Sequence, residues 1–386
     1  MYRFGDKEIA AFIKLVESKK LFRYDKGGVC DQFETRWAKY TSTKYCQMTS
    51  SGTTALTASL AALEIGPGDE VLVPACTYMA TAIAVLAVGA IPVVVDIDES
   101  IMISPKAIAK AIGPRTKAII PVHLWGLVCD MNGIMKVAKK NKLKVVEDCC
   151  QCVGGFYEGR SVGSYGDFGA FSFNFFKNMT CGEGGAIITS DEAAYKRASC
   201  GIDCCSYYWS GRDEGFLPFA SNSARASSIE GAILSAQLTR LPGMIKSMRK
   251  QKMQILEETA DTKLKPIKAN SLEWECGSHV GYLLPTAQQA EAFLALTGGF
   301  IASKTGRHIY TEWDQLFSHQ GGHVPAMNPY LMEANKDCRM DYSMDMCQKS
   351  LDIVDRAVLI PTHPDRKPSE TKALIKRIRE AAAQVL

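Results

Sequence analysis

The chain has 386 residues, of which 47% are hydrophobic and 22% charged, and its formal net charge is +4. This length supports a large globular core together with a smaller second domain. The weak net charge and the absence of long runs of like charge argue against a nucleic-acid partner.

The N-terminal stretch MYRFGDKEIAAFIKLVES predicts an amphipathic helix, and it lacks the apolar core and cleavage site of a secretory signal peptide. No segment has the ~18 apolar residues of a membrane span, so we expect a cytoplasmic protein with no membrane partner. In that setting the 14 cysteines are expected to be reduced thiols. Cys200, Cys204 and Cys205 lack a second cluster at zinc-like spacing, so no metal is expected.

Between about residues 50 and 150, helical patterns alternate with the short β-rich runs VLVPA, IPVVVDI, KAIIPVHL and KVVED. This alternation is typical of βαβ units around a buried parallel sheet. Two further strands are predicted at FGAFSF and GAIITS, joined by the glycine-rich loop NFFKNMTCGEGG. The sequence therefore predicts an α/β fold with a mostly parallel sheet flanked by helices.

From about Arg249 the pattern changes to a long charged helix, a few short strands and the helical end KPSETKALIKRIREAAAQVL. We interpret this part as a smaller α+β domain, with a large domain over residues 1–245 and a small domain over residues 246–386. The segment between Gly298 and Pro329 is rich in Gly, His and aromatic residues and has weak periodicity, which favours a functional loop.

A cofactor such as pyridoxal 5′-phosphate (PLP) has a phosphate, a cationic ring and an aldehyde, and each of these groups needs a different protein partner. Three motifs of the sequence supply such partners. SSGTTAL places small polar residues at a helix start, where free N–H groups bind phosphate. Asp148 ends the strand KVVED, where a buried carboxylate needs a cationic partner. Lys177 lies beside Phe173, Phe175 and Phe176, and such neighbours would favour its neutral, nucleophilic amine. Taken singly, these residues would also fit a helix cap or a surface lysine.

In this order, the motifs resemble those of the DegT/DnrJ/EryC1/StrS aminotransferases, the sugar aminotransferase branch of the fold-type I PLP enzymes. The resemblance covers roughly residues 30 to 242 and includes SSGTTALTASLAAL, GPGDEVLVPACTYMAT and PRTKAIIPVHLWG. It is most specific in the block from Glu147 to Gly185. The resemblance implies a fold-type I PLP transferase fold and transfer of an amino group.

The resemblance also assigns roles to individual residues. Lys177 matches the Schiff-base lysine that carries protons, and Asp148 matches the partner of the pyridinium nitrogen. Gln151 falls where the family contacts the phenolic oxygen of the ring, and Tyr78 falls where an aromatic side chain stacks on it. The residues matching the phosphate site are Gly52, Thr53 and Ser172.

The family resemblance further implies a homodimer whose active sites are shared between chains. An Asn two residues before an Arg reaches the phosphate of the neighbouring subunit in this family. Here the segment reads SNSARASSIEGA, so that Arg225 is in register, Ser223 stands at the Asn position and Asn222 lies one place early. Either Asn222 or Ser223 can make this contact.

The resemblance implies glutamate or glutamine as the amino donor and a keto or aldehyde sugar as the acceptor. FRYD and HIYTEW resemble members that aminate C8 of an eight-carbon ulosonic acid in the Kdo amino-sugar pathway. Arg307 would then pair with a carboxylate, His308 and Tyr310 would bind hydroxyls, and Trp313 would face the sugar ring. The alternatives are packing of this segment between domains, a cyclitol ketone acceptor, a PLP-dependent sugar dehydratase or a non-catalytic PLP-binding sensor. In the dehydratases a histidine replaces the lysine, which disfavours that alternative.

Overall fold

A seven-stranded sheet forms the centre of the computed structural model, which describes residues 4–209 and 215–386. The strands of the N-terminal half are β1 (Tyr45–Thr49), β2 (Glu70–Pro74), β3 (Ile91–Val95), β4 (Thr116–Ile119), β5 (Lys144–Asp148), β6 (Phe156–Tyr157), β7 (Arg160–Ser161), β8 (Phe168–Ser172) and β9 (Gly185–Thr189). The sheet order is β1-β9-β8-β5-β4-β2-β3, and β6 pairs with β7 in a separate hairpin. Strands β2, β3, β4, β5 and β8 run parallel, whereas β9 is antiparallel to β8 and β1. The predicted mostly parallel sheet is confirmed.

Strands inside this sheet are buried along their whole length and are mostly hydrophobic, because both of their faces are covered. Every residue of β2, β8 and β9 is buried, including Glu70 at the start of β2. The helices that accompany the sheet are α1 (Asp6–Ser18), α2 (Val29–Thr41), α3 (Gly52–Ala62), α4 (Ala80–Ala87), α5 (Pro105–Ala111), α6 (Met131–Lys140), α7 (Glu192–Ile202), α8 (Ser206–Trp209) and α9 (Ser228–Leu238). Helix α3 packs against α4, α7 and β8, which fixes its first turn beside the ends of β5 and β8.

The C-terminal part builds a second, antiparallel sheet. Its elements are α10 (Leu241–Glu258), β10 (Lys265–Pro266), β11 (His279–Leu283), α11 (Ala287–Thr297), β12 (Phe300–Ile301), α12 (Asp314–Phe317), α13 (Gln348–Arg356), β13 (Ala357–Pro361) and α14 (Pro368–Val385). The strand order is β10-β11-β13-β12. Tyr282, Phe293 and Ile375 belong to a separate buried cluster under this sheet. Among the described residues, no helix is both long and apolar enough to cross a membrane.

The predicted domain boundary between residues 245 and 246 falls inside the continuous helix α10, and it stays a prediction. Ile245 and Met248, on either side of it, both belong to the core of the large sheet. Tyr310 and Trp313 belong to the same core although they lie far into the C-terminal part. Further along the same helix, Ile255 belongs to the separate cluster under the second sheet, so α10 contributes side chains to both cores.

Candidate active site

A cavity of about 670 Å³ lies at the carboxyl ends of the parallel strands, between the large sheet and the start of β11 and β12. Open α/β sheets bind their ligands at this edge. Most of the residues that sequence analysis predicted for a site meet here. Those that line the cavity are Gly52, Thr53, Tyr78, Asp148, Gln151, Ser172, Lys177, Arg307 and His308.

The first turn of α3 forms one wall of the cavity. The Ser51 hydroxyl caps the helix by accepting from the Thr54 N–H at 3.1 Å, and the first-turn N–H groups of Gly52 and Thr53 have no partner within a helix. A Cβ on Gly52 would lie 2.6 Å from Cys150 Sγ and 2.8 Å from the Ser172 Cβ. Only glycine therefore fits, and bare backbone faces the cavity. This turn is suited to an anion, because the positive end of the helix dipole adds to its N–H groups.

The Asp148 carboxylate is fixed at the end of β5. Its side chain is buried, with 4% of the residue exposed. One carboxylate oxygen accepts from the Thr81 hydroxyl at 2.9 Å, and the other accepts from the Cys150 N–H at 3.0 Å. Both donors stabilise the anion and set its direction, so Asp148 can face a cationic group in the cavity.

Lys177 lies in the lysine loop, residues 173–184, which connects β8 to β9. The loop is held closed because the Lys177 N–H donates to the Asn174 carbonyl at 2.9 Å and the Asn174 amide donates to Glu183 at 2.6 Å. The prediction that neighbouring Phe rings bury the lysine is wrong for Phe175 and Phe176, which are 47% and 78% exposed.

The third ring of that prediction, Phe173, points away from the lysine loop into the core. Its ring centroid lies 5.7 Å from those of Phe33 and Trp37. Alternation along the extended chain after β8 accounts for this, since successive side chains point to opposite faces. Lys177 itself is half-buried, and of the three rings only Phe176 lines the cavity with it.

The segment around His308 reaches the cavity because its backbone pairs with the chain that follows β2. The Thr77 N–H donates to the His308 carbonyl at 2.8 Å, and the Met79 N–H donates to the Arg307 carbonyl at 3.1 Å. The ring nitrogen Nε2 of His308 lies 2.9 Å from Nε2 of Gln151. Burial, followed by the charges of Lys177 and Arg307, lowers the pKa of His308 to about 4. The ring is therefore neutral at pH 7.

The structure corrects the prediction that Tyr310 and Trp313 contact a substrate. Both are fully buried, and neither lines the cavity. The Tyr310 hydroxyl donates to the Met344 carbonyl at 2.6 Å, and the Trp313 indole donates to the Arg307 carbonyl at 3.4 Å. The chain enters a 3-10 turn at Tyr310–Glu312, which directs both side chains into the core.

Residues 3–379 match the family described as the DegT/DnrJ/EryC1/StrS aminotransferase family. The chain belongs to this family. Among its relatives, a UDP-N-acetyl-3-dehydro-alpha-D-glucosamine 3-aminotransferase of Acidithiobacillus ferrooxidans is 56% identical over 144 residues, which is 37% of this chain and 39% of the relative. A GDP-perosamine synthase of Caulobacter vibrioides is 42% identical over 215 residues, or 54% of this chain and 56% of the relative. The matched stretches thus span about half, or less, of these curated relatives.

Solved structures extend the likeness of this DegT/DnrJ/EryC1/StrS member to the whole chain. An aminotransferase from Psychrobacter cryohalolentis superposes with a TM-score of 0.80 at 26% identity, covering 100% of this chain and 99% of that one. An E. coli GDP-4-keto-6-deoxy-D-mannose-3-dehydratase with bound hydrated PLP gives a TM-score of 0.80 at 22% identity, over 98% of each chain, and shows the shared fold alone. The predicted fold class is confirmed.

In this family member, the segment predicted to reach a neighbouring subunit lies outside the chain's own cavity. The Ser50 N–H donates to the Ala224 carbonyl at 2.9 Å, which ties the segment to the chain just before α3. Asn222 and Ser223 are exposed. The Ser223 hydroxyl donates to Asp203 at 3.3 Å, and Arg225 approaches the same carboxylate at 3.4 Å.

Two groups of metal-ligand residue types occur among the described residues. In the buried group of His123, Glu147 and Cys149, the Glu147 carboxylate accepts from three N–H groups of the turn 163–166 and lies 3.1 Å from His123 Nε2. These bonds identify a structural hydrogen-bond network. The second group contains Asp203, Cys204 and Cys205 and does not include Cys200.

Sequence analysis missed several residues that shape the site. Thr81 binds Asp148 and stands one helical turn after Tyr78, so the ACTYMAT motif carried a signal for it. Trp125 lines the cavity from the HLWG motif, whereas His279 and Phe300 arrive from the small sheet. Burial lowers the pKa of His279 to about 4, although its ring bonds to the Trp125 carbonyl. No local motif marks these last two residues, because only the packing of the second sheet brings them here.

Proposed function

We propose that this chain is a PLP-dependent aminotransferase that moves an amino group from glutamate or glutamine to a keto or aldehyde sugar. The observation that carries the proposal is the meeting of Lys177, Asp148 and the first turn of α3 in one cavity. The family match and the aminotransferase names of its relatives support the same reaction class.

The residues present fit PLP, which when bound supplies an electron sink for charge that develops at the substrate Cα. The N–H groups of Gly52 and Thr53, with the Ser172 hydroxyl, would hold its phosphate, and no side chain on Gly52 obstructs them. Asp148 would keep a proton on the ring nitrogen. The Lys177 amine would hold the cofactor at its aldehyde carbon and, once the incoming donor amine has displaced it, would be free to move a proton at the substrate Cα.

Tyr78 and Gln151 complete the proposed cofactor site. Tyr78 is 39% exposed and lines the cavity, where its ring can stack on a flat ligand. Gln151 lines the same cavity between Asp148 and His308 and can contact the phenolic oxygen. Trp125 packs 5.2 Å from Phe300, centroid to centroid, and these rings offer the apolar face for a sugar that Trp313 does not.

The guanidinium of Arg307 on the cavity wall supports an acidic acceptor, such as an oxidised Kdo. Among the described residues that line the cavity, Arg307 is the cation besides Lys177, since the pKa values of His279 and His308 lie at about 4. A guanidinium binds a carboxylate through two parallel hydrogen bonds. Arg307 is therefore proposed to bind the acceptor carboxylate.

A cyclitol ketone is the second candidate acceptor. An L-glutamine:2-deoxy-scyllo-inosose aminotransferase of Micromonospora echinospora is 42% identical over 168 residues, which is 43% of this chain and 40% of the relative. Lys177 disfavours a dehydratase, because in the related dehydratases a histidine replaces this lysine. An intact set of lysine, carboxylate and phosphate-binding turn likewise disfavours a non-catalytic sensor.

The acceptor class is tested by glutamate-dependent turnover with an acidic sugar aldehyde, a nucleotide-linked keto sugar and a cyclitol ketone. We expect the acidic sugar to react fastest. Arg307→Gln should raise its KM about 10- to 100-fold, the scale of one charged hydrogen bond, and leave the KM of a neutral acceptor nearly unchanged. Preference for a neutral acceptor, or an equal effect on every acceptor, would contradict the acidic assignment.

A homodimer is also proposed. Exposed apolar side chains of α1 form a stripe that a single chain leaves in water: Ile9, Phe12, Ile13 and Val16 are each between 41% and 55% exposed. Phe175 and Phe176 add exposed rings beside the cavity. Contiguous apolar surface of this kind marks interfaces in soluble proteins, and a second copy of the chain is the occupant that the family resemblance implies.

A further inference from the structure

Both ring nitrogens of His308 already have partners within the chain. Nε2 lies 2.9 Å from the amide nitrogen of Gln151, and Nδ1 lies 2.9 Å from the hydroxyl oxygen of Thr305. No ring nitrogen is left for a sugar hydroxyl, so the predicted role of His308 as a substrate contact does not fit this arrangement. Its contacts point instead toward Gln151.

The chemistry of the partners fixes the proton on the ring. An amide nitrogen donates hydrogen bonds and accepts none, so Nε2 of His308 accepts from Gln151. A neutral imidazole carries its single proton on the other nitrogen, and Nδ1–H therefore donates to Thr305. A protonated ring would present a donor to the Gln151 donor and break this contact.

The surroundings keep the ring neutral and immobile. Lys177 and Arg307 repel a further positive charge, and burial disfavours it. The backbone at His308 is tied to Thr77, and the ring lies 5.6 Å from the Tyr78 ring and 5.3 Å from the Trp125 ring. The imidazole is thus held as a fixed acceptor at the cavity wall.

We propose that His308 is a positioning residue, which holds the Gln151 amide so that its second N–H donates to an anionic oxygen of the bound cofactor. The inference rests on the proposed function. A glutamine amide can present either its carbonyl or its NH₂ to a ligand, and a carbonyl facing an anionic oxygen would repel it. Because His308 accepts a hydrogen bond from one N–H of the Gln151 amide, the second N–H of that amide is left to donate to a ligand in the cavity.

The test is the pH titration of the visible absorbance of the PLP-loaded enzyme. A hydrogen-bond donor to the phenolic oxygen of the cofactor stabilises the anionic form of that oxygen. Loss of the donor in Gln151→Ala should therefore raise the pH at the midpoint of the absorbance change by about one unit. His308→Ala should raise it in the same direction. In the double variant the midpoint should shift no further than in Gln151→Ala alone, because both changes remove the same hydrogen bond to the cofactor.

Two further variants separate positioning from a general structural effect. His308→Gln places an acceptor near the former Nε2 and should restore much of the wild-type midpoint. His279→Ala removes another half-buried histidine of the same cavity, one that bonds to the Trp125 carbonyl and not to Gln151, and it should leave the midpoint unchanged. An unchanged midpoint in His308→Ala, or additive shifts in the double variant, would overturn the inference. Wild-type protein without cofactor absorbance would instead overturn the proposed function.

Discussion

Asp148 is the buried side chain proposed to face the ring nitrogen of the cofactor. Its two carboxylate oxygens are already held by Thr81 and the Cys150 N–H, so the group is oriented before any ligand arrives. Asp148→Asn keeps the shape and removes the charge. We expect the cofactor still to bind and the turnover number with glutamate to fall at least about 100-fold, as for loss of a preorganised charge.

The control for this prediction is Thr81→Val, which keeps the carboxylate and removes one of its donors. It should lower turnover much less than Asp148→Asn does. Steady-state kinetics and cofactor absorbance, measured on both variants, check the pair. A near wild-type rate in Asp148→Asn would exclude the assigned role.

For single residues, the sequence correctly predicted which polar side chains lie at the cavity when those residues end a parallel strand. Asp148 and Ser172 end parallel strands, and such ends meet at one edge whatever the loops do. It failed for Tyr310 and Trp313, because an aromatic residue in an irregular segment fits a core as well as a pocket. Only the 3-10 turn decides which way these rings point.

Among the elements, the buried strands were predictable from their hydrophobic runs, since a covered parallel sheet demands them. The place of β1 was not, because its pairing with β9 joins residues more than 130 positions apart. This pairing also accounts for Gly185, the first residue of β9 after the lysine loop, because a Cβ on it would lie 2.4 Å from the Ser51 carbonyl carbon. The end of the lysine loop and the first turn of α3 therefore fit together only through bare backbone.

The predicted domain boundary lies within α10, so the two parts of the chain share one helix. A change in amino-acid composition shows which face of a helix is exposed to water. A domain boundary depends instead on which hydrophobic core the buried face of that helix packs into. Met248 lies after the predicted boundary, yet it packs in the core of the large sheet. That choice of core depends on tertiary packing, which no local pattern encodes.

For the whole molecule, the proposed homodimer makes a prediction about shared sites. The Ser223 hydroxyl is engaged by Asp203, and Asn222 beside it is exposed, so this segment is available to a second chain. A Lys177→Ala chain and a chain changed at both Asn222 and Ser223 should each be inactive alone. Mixing them should recover activity, because one of the two sites in each mixed dimer has all its groups.

Mixed dimers purified with two different affinity tags provide the measurement for shared sites. Dimers of one variant only, passed through the same steps, serve as the control. Purified mixed dimers with no activity above that control would contradict shared sites. A monomeric wild-type protein by sedimentation would contradict the dimer itself.

The proposed function requires Lys177 to hold PLP and the loaded chain to accept an amino group from glutamate. The most direct measurement is borohydride reduction of the PLP-loaded protein followed by peptide mapping, with absorbance recorded before and after glutamate is added. We predict a cofactor adduct on Lys177, no adduct in Lys177→Ala, and bleaching of the wild-type visible band by glutamate. An adduct on another lysine, or a band that glutamate leaves unchanged, would contradict the account.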